Sequence, residues 1–215
     1  VPLCGHALLY EADSRLEENL NELLKVNNNY SILIGDFLKS NLKEDIGKYS
    51  YSKIYVVANL PYYITTPIIM KFIDSDVLPD KMVVMVQKEV ASRLSASVGS
   101  HDYGSLTVFL NYYYDIKKLF DVSRNCFMPK PNVDSAVVCF ELKKEREKVL
   151  DISLFKKLVR DSFSYKRKTI RNNLKSYDLK IVESVLLKHG FDLGVRAEAL
   201  SLDVFVELAN ALFLK

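Results

Sequence analysis

Apolar and polar positions along the chain follow two periods. Ala7–Glu11 (ALLYE) is a short apolar run closed by an acid, the pattern of a buried strand. Asp13 is a good N-cap, and Ser14 to Lys25 then carries Leu16, Leu20, Leu23 and Leu24 at helical spacing. Ser31–Ile34 reads as a second strand, closed by Gly35-Asp36. Lys53–Ala58 (KIYVVA) reads as a third, followed at once by Asn59-Leu60-Pro61-Tyr62. Thr66-Pro67 opens a helix to about Ile73, with proline in the first turn, where its missing N–H costs nothing. Met82–Val86 (MVVMV) predicts a fourth strand, and Gln87–Leu94 and Tyr103–Tyr113 predict helices. Tyr114–Val122 and Ser135–Leu142 read as strands around a Pro-rich loop. Beyond Glu145 the strand signal ends, and helices are predicted at 152–163, 167–175, 179–188 and 201–213.

Strands alternating with helices imply an α/β fold, a mostly parallel sheet covered by helices on both faces. The last two strands are expected to pair antiparallel, because no full crossover helix joins them. The charged run Lys143–Lys148 marks a boundary between residues 1–144, a sheet domain, and residues 145–215, a small all-helical domain. No internal repeat or low-complexity tract is evident.

The 215 residues suffice for one ordinary domain plus a small appendage, and 49% apolar with 27% charged residues is a globular composition. No apolar run approaches the roughly 18–20 residues of a membrane span, and nothing reads as a signal peptide. Cys4, Cys126 and Cys139 are scattered and odd in number, which fits reduced thiols in the cytosol rather than a disulfide framework or a zinc site. His6, His101 and His189 stand apart from one another, so no metal is expected. The sequence begins at Val1 rather than Met and holds only 7 glycines. No glycine cluster of the kind that usually cradles a nucleotide-like cofactor is visible. Residues 141–215 carry 16 Lys and Arg against 11 Asp and Glu, and residues 1–140 carry 14 against 16. That asymmetry points the C-terminal part towards a polyanion.

Four segments carry candidate chemistry. Asn59-Leu60-Pro61-Tyr62 follows a buried strand, and ligands in open α/β sheets sit beyond the carboxyl ends of strands. The Asn59 amide, a Leu60 carbonyl presented by the rigid Pro61 turn and the flat face of Tyr62 suit a planar base with an exocyclic amine. The alternative is an Asn-capped turn with a buried tyrosine. Glu11 and Asp36 are acids at strand ends, able to accept from ribose hydroxyls and an adenine amine. Equally, each could be a cap or turn residue. Phe127 opens the loop Phe127-Met128-Pro129-Lys130-Pro131-Asn132-Val133-Asp134-Ser135. It could stack on a flipped base while Lys130 meets a phosphate, or it could pin the loop to the core. Lys156 to Lys175 holds eight Lys and Arg against the single acid Asp161, centred on Lys166, Arg167, Lys168 and Arg171. That is either the footprint of phosphate contacts or a solvated face.

Together these segments resemble the rRNA adenine N6-dimethyltransferase family, more closely its bacterial small-subunit branch. The resemblance covers essentially the whole chain. It rests on Glu11-Ala12-Asp13, Gly35-Asp36, Asn59-Leu60-Pro61-Tyr62 with Tyr63-Ile64-Thr65-Thr66-Pro67, and Gln87-Lys88-Glu89. Tyr103-Gly104, Phe127 to Val138, Lys166 to Asn172 and Arg196-Ala197-Glu198 extend it. It implies a Rossmann-like methyltransferase sheet and S-adenosylmethionine as methyl donor. Glu11 would bind the cofactor ribose and Asp36 its adenine amine. Asn59 and the Leu60 carbonyl would hold the target N6, with Tyr62 and Phe127 packing the ring. The implied partner is small-subunit rRNA in a pre-ribosomal particle, met by a cytoplasmic monomer away from any membrane. A non-catalytic RNA-binding assembly factor and the large-subunit enzyme of macrolide resistance are the competing readings. A DNA adenine methyltransferase is disfavoured by Leu60, where such enzymes usually carry Pro. The family also has an N-terminal basic segment and a glycine-rich loop after its first strand, and this sequence begins beyond that point. Weak cofactor binding is therefore expected: calorimetric titration with S-adenosylmethionine should show an affinity poorer than micromolar, and micromolar binding would contradict this.

Overall fold

In the computed structural model, which describes residues 3–215, strand β1 (Ala7–Glu11) pairs in parallel with β2 (Tyr30–Ile34). The register sets Ala7 opposite Tyr30 and Glu11 opposite Ile34. Between them run a 3₁₀ turn, Ser14–Leu16, and helix α1 (Glu17–Leu24). The Asp13 carboxylate accepts from the Arg15 N–H at 3.0 Å, so the cap read from sequence starts the tighter turn rather than the α-helix itself. Contacts along the chain group into two compact units, one reaching Lys81 and the other starting at Met82.

The first unit continues after β2 with a 3₁₀ turn at Phe37–Lys39 and helix α2 (Leu42–Gly47). That helix has too few residues for a hydrophobic period, which is why the sequence pattern passed over it. It exists because Asn41 caps Glu44 N–H and Leu42 is buried. Strand β3 (Tyr55–Asn59) leads through a 3₁₀ turn, Tyr62–Ile64, into α3 (Thr65–Asp74). Helix α3 buries Ile68, Ile69, Phe72 and Ile73, a pattern of i, i+1, i+4 and i+5 that makes one apolar stripe. Each such side chain contributes roughly 1.5–3 kcal/mol relative to an exposed one. Phe72 meets Phe37 at 5.6 Å between ring centroids, and Phe37 meets Tyr10 edge-on at 5.0 Å.

The second unit is built on β4 (Lys81–Gln87), β5 (Tyr114–Val122) and β6 (Ser135–Leu142), lying in the order β4, β6, β5. Strands β5 and β6 pair antiparallel as expected, from Tyr114 opposite Leu142 to Val122 opposite Ser135, with a register shift between Lys118 and Phe120. Helices α4 (Lys88–Leu94) and α5 (Ser105–Tyr113) join β4 to β5. Four helices follow: α6 (Ile152–Ser162), α7 (Ile170–Asn173), α8 (Leu179–Lys188) and α9 (Leu202–Phe213). Asp151 caps α6 through the Ser153 and Leu154 N–H groups, and Phe155, Leu158, Val159 and Ser162 form its buried face. Phe155 packs on Phe109 of α5, and Phe163 lies between Tyr103 and Phe205, so α5 and the C-terminal helices share aromatic packing.

One expected helix is corrected. Residues 167–175 give only the single turn α7. The Ile170 and Arg171 N–H groups donate to the Val195 and Leu193 carbonyls, at 2.8 and 3.0 Å. Asn173 reaches back to the Ser162 carbonyl at 2.6 Å and to the Tyr165 backbone. Tertiary partners thus take the backbone groups that a longer helix would need.

Two contacts fix the segment before α6. The Asn210 side chain donates to the Lys148 carbonyl at 2.8 Å and accepts from the Leu150 N–H at 2.9 Å. Arg146 lies over the rings of Tyr112 and Tyr113, 5.5 and 5.2 Å from their centroids. Replacing Asn210 with Ala should lower stability by about 1 kcal/mol in urea unfolding, with the denaturant slope unchanged. An unchanged midpoint would contradict this role.

Candidate active site

The two strand-end acids come together in the first unit. Because Glu11 pairs opposite Ile34, the ends of β1 and β2 coincide, and the Gly35 N–H donates to the Glu11 carbonyl at 2.8 Å. Gly35 adopts φ +142°, a conformation L side chains rarely adopt, so glycine is needed there for the backbone alone. Both acids do serve locally. Glu11 Oε1 accepts from the Asp13 N–H at 2.8 Å, and Asp36 Oδ1 accepts from the Leu38 N–H at 2.9 Å. A carboxylate has room for further acceptor bonds, so capping and ligand binding are compatible.

Asn59 ends β3, whose residues alternate: Tyr55, Val57 and Asn59 are exposed, Val56 and Ala58 half-buried. The Asn59 amide has no hydrogen bond among the described residues, so the capped-turn alternative is not what it does here. Leu60 is buried and anchors the turn, and Pro61 holds it at φ −58°, ψ 129°. Thr65 Oγ1 closes the turn by donating to the Pro61 carbonyl at 3.2 Å, and Tyr62 is half-buried. Tyr63, for which the sequence suggested no role, is 85% exposed. Helix α3 then ties this turn to the Asp36 loop: Lys71 Nζ donates to the Leu38 and Ser40 carbonyls at 2.9 and 2.7 Å.

Phe127 and Lys130 lie in the second unit. Phe127 is half-buried and follows the 3₁₀ turn Arg124–Cys126; Met128, Pro129 and Lys130 are exposed. Asp134 pins this loop, its carboxylate accepting from the Arg124 N–H at 2.9 Å and its carbonyl from the Lys88 N–H at 3.0 Å. Between the loop and the start of α4 lies a groove of about 560 Å³, bounded by Gln87, Glu89 and Ser92 on one side and Arg124 and Asn132 on the other. Sequence reasoning gave no role to Arg124, which precedes the Pro-rich loop, and named Asn132 only as part of that loop.

At one end of the groove Lys88 Nζ pairs with Asp121 at 2.8 Å, and Lys118 joins at 3.2 Å. Hydrogen bonds from Lys88 and then Lys118 hold the exposed Asp121 carboxyl below its ordinary value. The pair's contribution is therefore present at neutral pH and is lost as pH falls through that lowered value. Lys166, Arg167, Lys168 and Arg171 are all exposed, on an irregular segment and the turn of α7 rather than a long helix face. Lys166 Nζ donates to the His101 carbonyl at 2.6 Å, which anchors that segment to the α4–α5 connection.

The ribosomal RNA adenine dimethylase family model matches residues 3–213. A protein of Lactobacillus helveticus (strain DPC 4571) named ribosomal RNA small subunit methyltransferase A is 42% identical over 212 residues, 94% of this chain and 72% of that one. The protein of the same name in Staphylococcus aureus (strain JH9) is 42% identical over 220 residues, 96% of this chain and 73% of its own. Among solved structures, a dimethyladenosine transferase from Plasmodium falciparum superposes with TM-score 0.79 at 26% identity, covering 96% of this chain and 82% of that one. The 23S rRNA methyltransferase ErmE shares the fold, with TM-score 0.71 at 22% identity over 97% and 82% of the two chains.

The Lys71 anchor can be tested directly. Lys71→Met should raise amide hydrogen exchange at Leu38–Ser40 about tenfold and leave β2 protected, since it removes two hydrogen bonds to that segment. Unaltered exchange at Leu38–Ser40 would show that the loop does not depend on Lys71.

Proposed function

This chain belongs to the ribosomal RNA adenine dimethylase family, and from that premise we propose that it dimethylates N6 of two adjacent adenines in small-subunit rRNA. The observation that carries the reading is Asn59-Leu60-Pro61-Tyr62 at the exposed end of β3, in a chain matched by the family almost from end to end. The named relatives at 42% identity are small-subunit methyltransferases, which favours that substrate over large-subunit rRNA. The exposed basic segment around Lys166–Arg171 supports binding to the RNA of a pre-ribosomal particle. A cytoplasmic monomer is part of the same proposal; among the described residues no helix is long and apolar enough to cross a membrane.

The proposed methyl donor is S-adenosylmethionine, which supplies a methyl group on a sulfonium sulfur. The residues present fit its nucleoside half. Glu11 and Asp36 sit at adjoining ends of parallel strands, with acceptor capacity for a ribose diol and an exocyclic amine. Asn59 and the Leu60 carbonyl accept from the two N6 hydrogens of the target adenine. Conjugation with the ring makes N6 a poor nucleophile. Two acceptors on its hydrogens favour a pyramidal nitrogen and aim its lone pair along the line of displacement. Tyr62 offers a face for the ring, and Phe127 offers another aromatic surface for a base. The methylated cationic nitrogen is acidic and loses its proton to water, so no strong base is needed. In a second round N6 carries a single hydrogen, so one acceptor holds it and the pocket must take the first methyl in place of the other hydrogen.

Asn59→Ala should abolish incorporation of labelled methyl groups into undimethylated small-subunit particles at saturating cofactor, yet leave binding to those particles intact. Loss of binding together with methylation would contradict the assignment of separate roles to Asn59 and the basic segment.

A further inference from the structure

The groove beside the Phe127 loop has a chemistry that the methyl-transfer step does not use. Its floor is stitched by the Asp134 contacts, with Arg124 Nη1 also donating to the Asn132 carbonyl at 3.1 Å. Its volume, about 560 Å³, is within the roughly 300–1,000 Å³ of sites that take a small-molecule-sized group. The side chains of Gln87, Glu89, Ser92 and Asn132 line it and have no hydrogen bond among the described residues.

We propose that this groove holds an unpaired nucleotide of the RNA, its base edge read by Gln87, Glu89, Ser92 and Asn132 and its phosphate met by Arg124. The proposal rests on the reading of the chain as an rRNA adenine methyltransferase. Two amides and a hydroxyl offer both donors and acceptors, the set that matches the edge of a nucleobase. Glu89 only accepts and repels phosphate, so it turns the base inward and prefers one with an exocyclic amine: adenine, cytosine or guanine. Arg124 has N–H donors beyond the one used on Asn132, and its planar fork suits phosphate. A peptide is a poor fit, because Val133 is the only apolar side chain in the lining and interfaces of that kind need buried anchors. Pro129 and Pro131 restrict the loop that carries both Phe127 and Asn132, so one strand of RNA could engage both along its length.

The test uses the full chain and small-subunit particles lacking the two methylations, with the unpaired nucleotides around the target adenines substituted one at a time. Wild-type protein should bind particles with an amine-bearing base at one of these positions about tenfold more tightly than those with uridine there. Glu89→Gln, nearly identical in shape, should reduce that preference to within about twofold. Arg124→Ala should weaken binding to every particle alike and lower the salt slope by about one. The urea midpoint should be unchanged for Glu89→Gln and slightly lowered for Arg124→Ala, which loses the bond to the Asn132 carbonyl. Wild-type preference in Glu89→Gln with wild-type affinity in Arg124→Ala, while the protein still methylates the particles, would overturn the groove assignment alone. Failure of the wild-type chain to methylate them at saturating cofactor would overturn the underlying reading and the groove with it.

Discussion

The parallel pairing of β1 with β2 is the constraint on which the first unit depends. The Gly35 N–H donates to the Glu11 carbonyl at 2.8 Å, so the two strands end level. Only then do Glu11 and Asp36 emerge side by side. Each carboxylate is steadied by one backbone N–H, from Asp13 and Leu38, so each is oriented before any ligand arrives. Lys71 extends the constraint by holding Leu38 and Ser40, which joins the helix after the Asn59 turn to the loop after Asp36.

The second unit uses a different device for the same purpose. Asp134 bonds to Arg124 through its carboxylate and to Lys88 through its carbonyl, so one residue fixes a Pro-rich loop against a helix start. Loops that carry function work when a rigid scaffold positions them. Here Asn132 of the loop, Gln87 at the end of β4 and Ser92 of α4 leave two amides and a hydroxyl facing a groove.

The strand pattern was legible because period two is short and the strands are rich in Val, Ile and Leu. Tyr114–Val122 and Ser135–Leu142 were read to their end residues. The helix at 167–175 was not, because its basic residues have good helical propensity while the Val195 and Leu193 carbonyls take its Ile170 and Arg171 N–H groups and Ser162 and Tyr165 hold the Asn173 side chain. Helix α2 was invisible for the opposite reason: a cap and one buried leucine sustain it without a period. The turn after Asn59 and the loop opened by Phe127 were legible from the prolines within them. Arg124 and Asn132 acquire meaning only through hydrogen bonds across the loop, which a linear pattern does not carry. The division of contacts at Lys81 and Met82 likewise follows from packing, since the aromatic residues of α5 and α6 meet where the charged run suggested a break.

The central claim is that the turn after β3 directs an adenine N6 at a methyl donor. It is tested most directly by incubating the chain with undimethylated small-subunit particles and isotope-labelled S-adenosylmethionine at saturating concentration, then analysing the rRNA nucleosides by mass spectrometry. Label is expected in N6,N6-dimethyladenosine at two adjacent positions of the small-subunit RNA. Label absent from adenosine, or confined to another nucleoside, would contradict it.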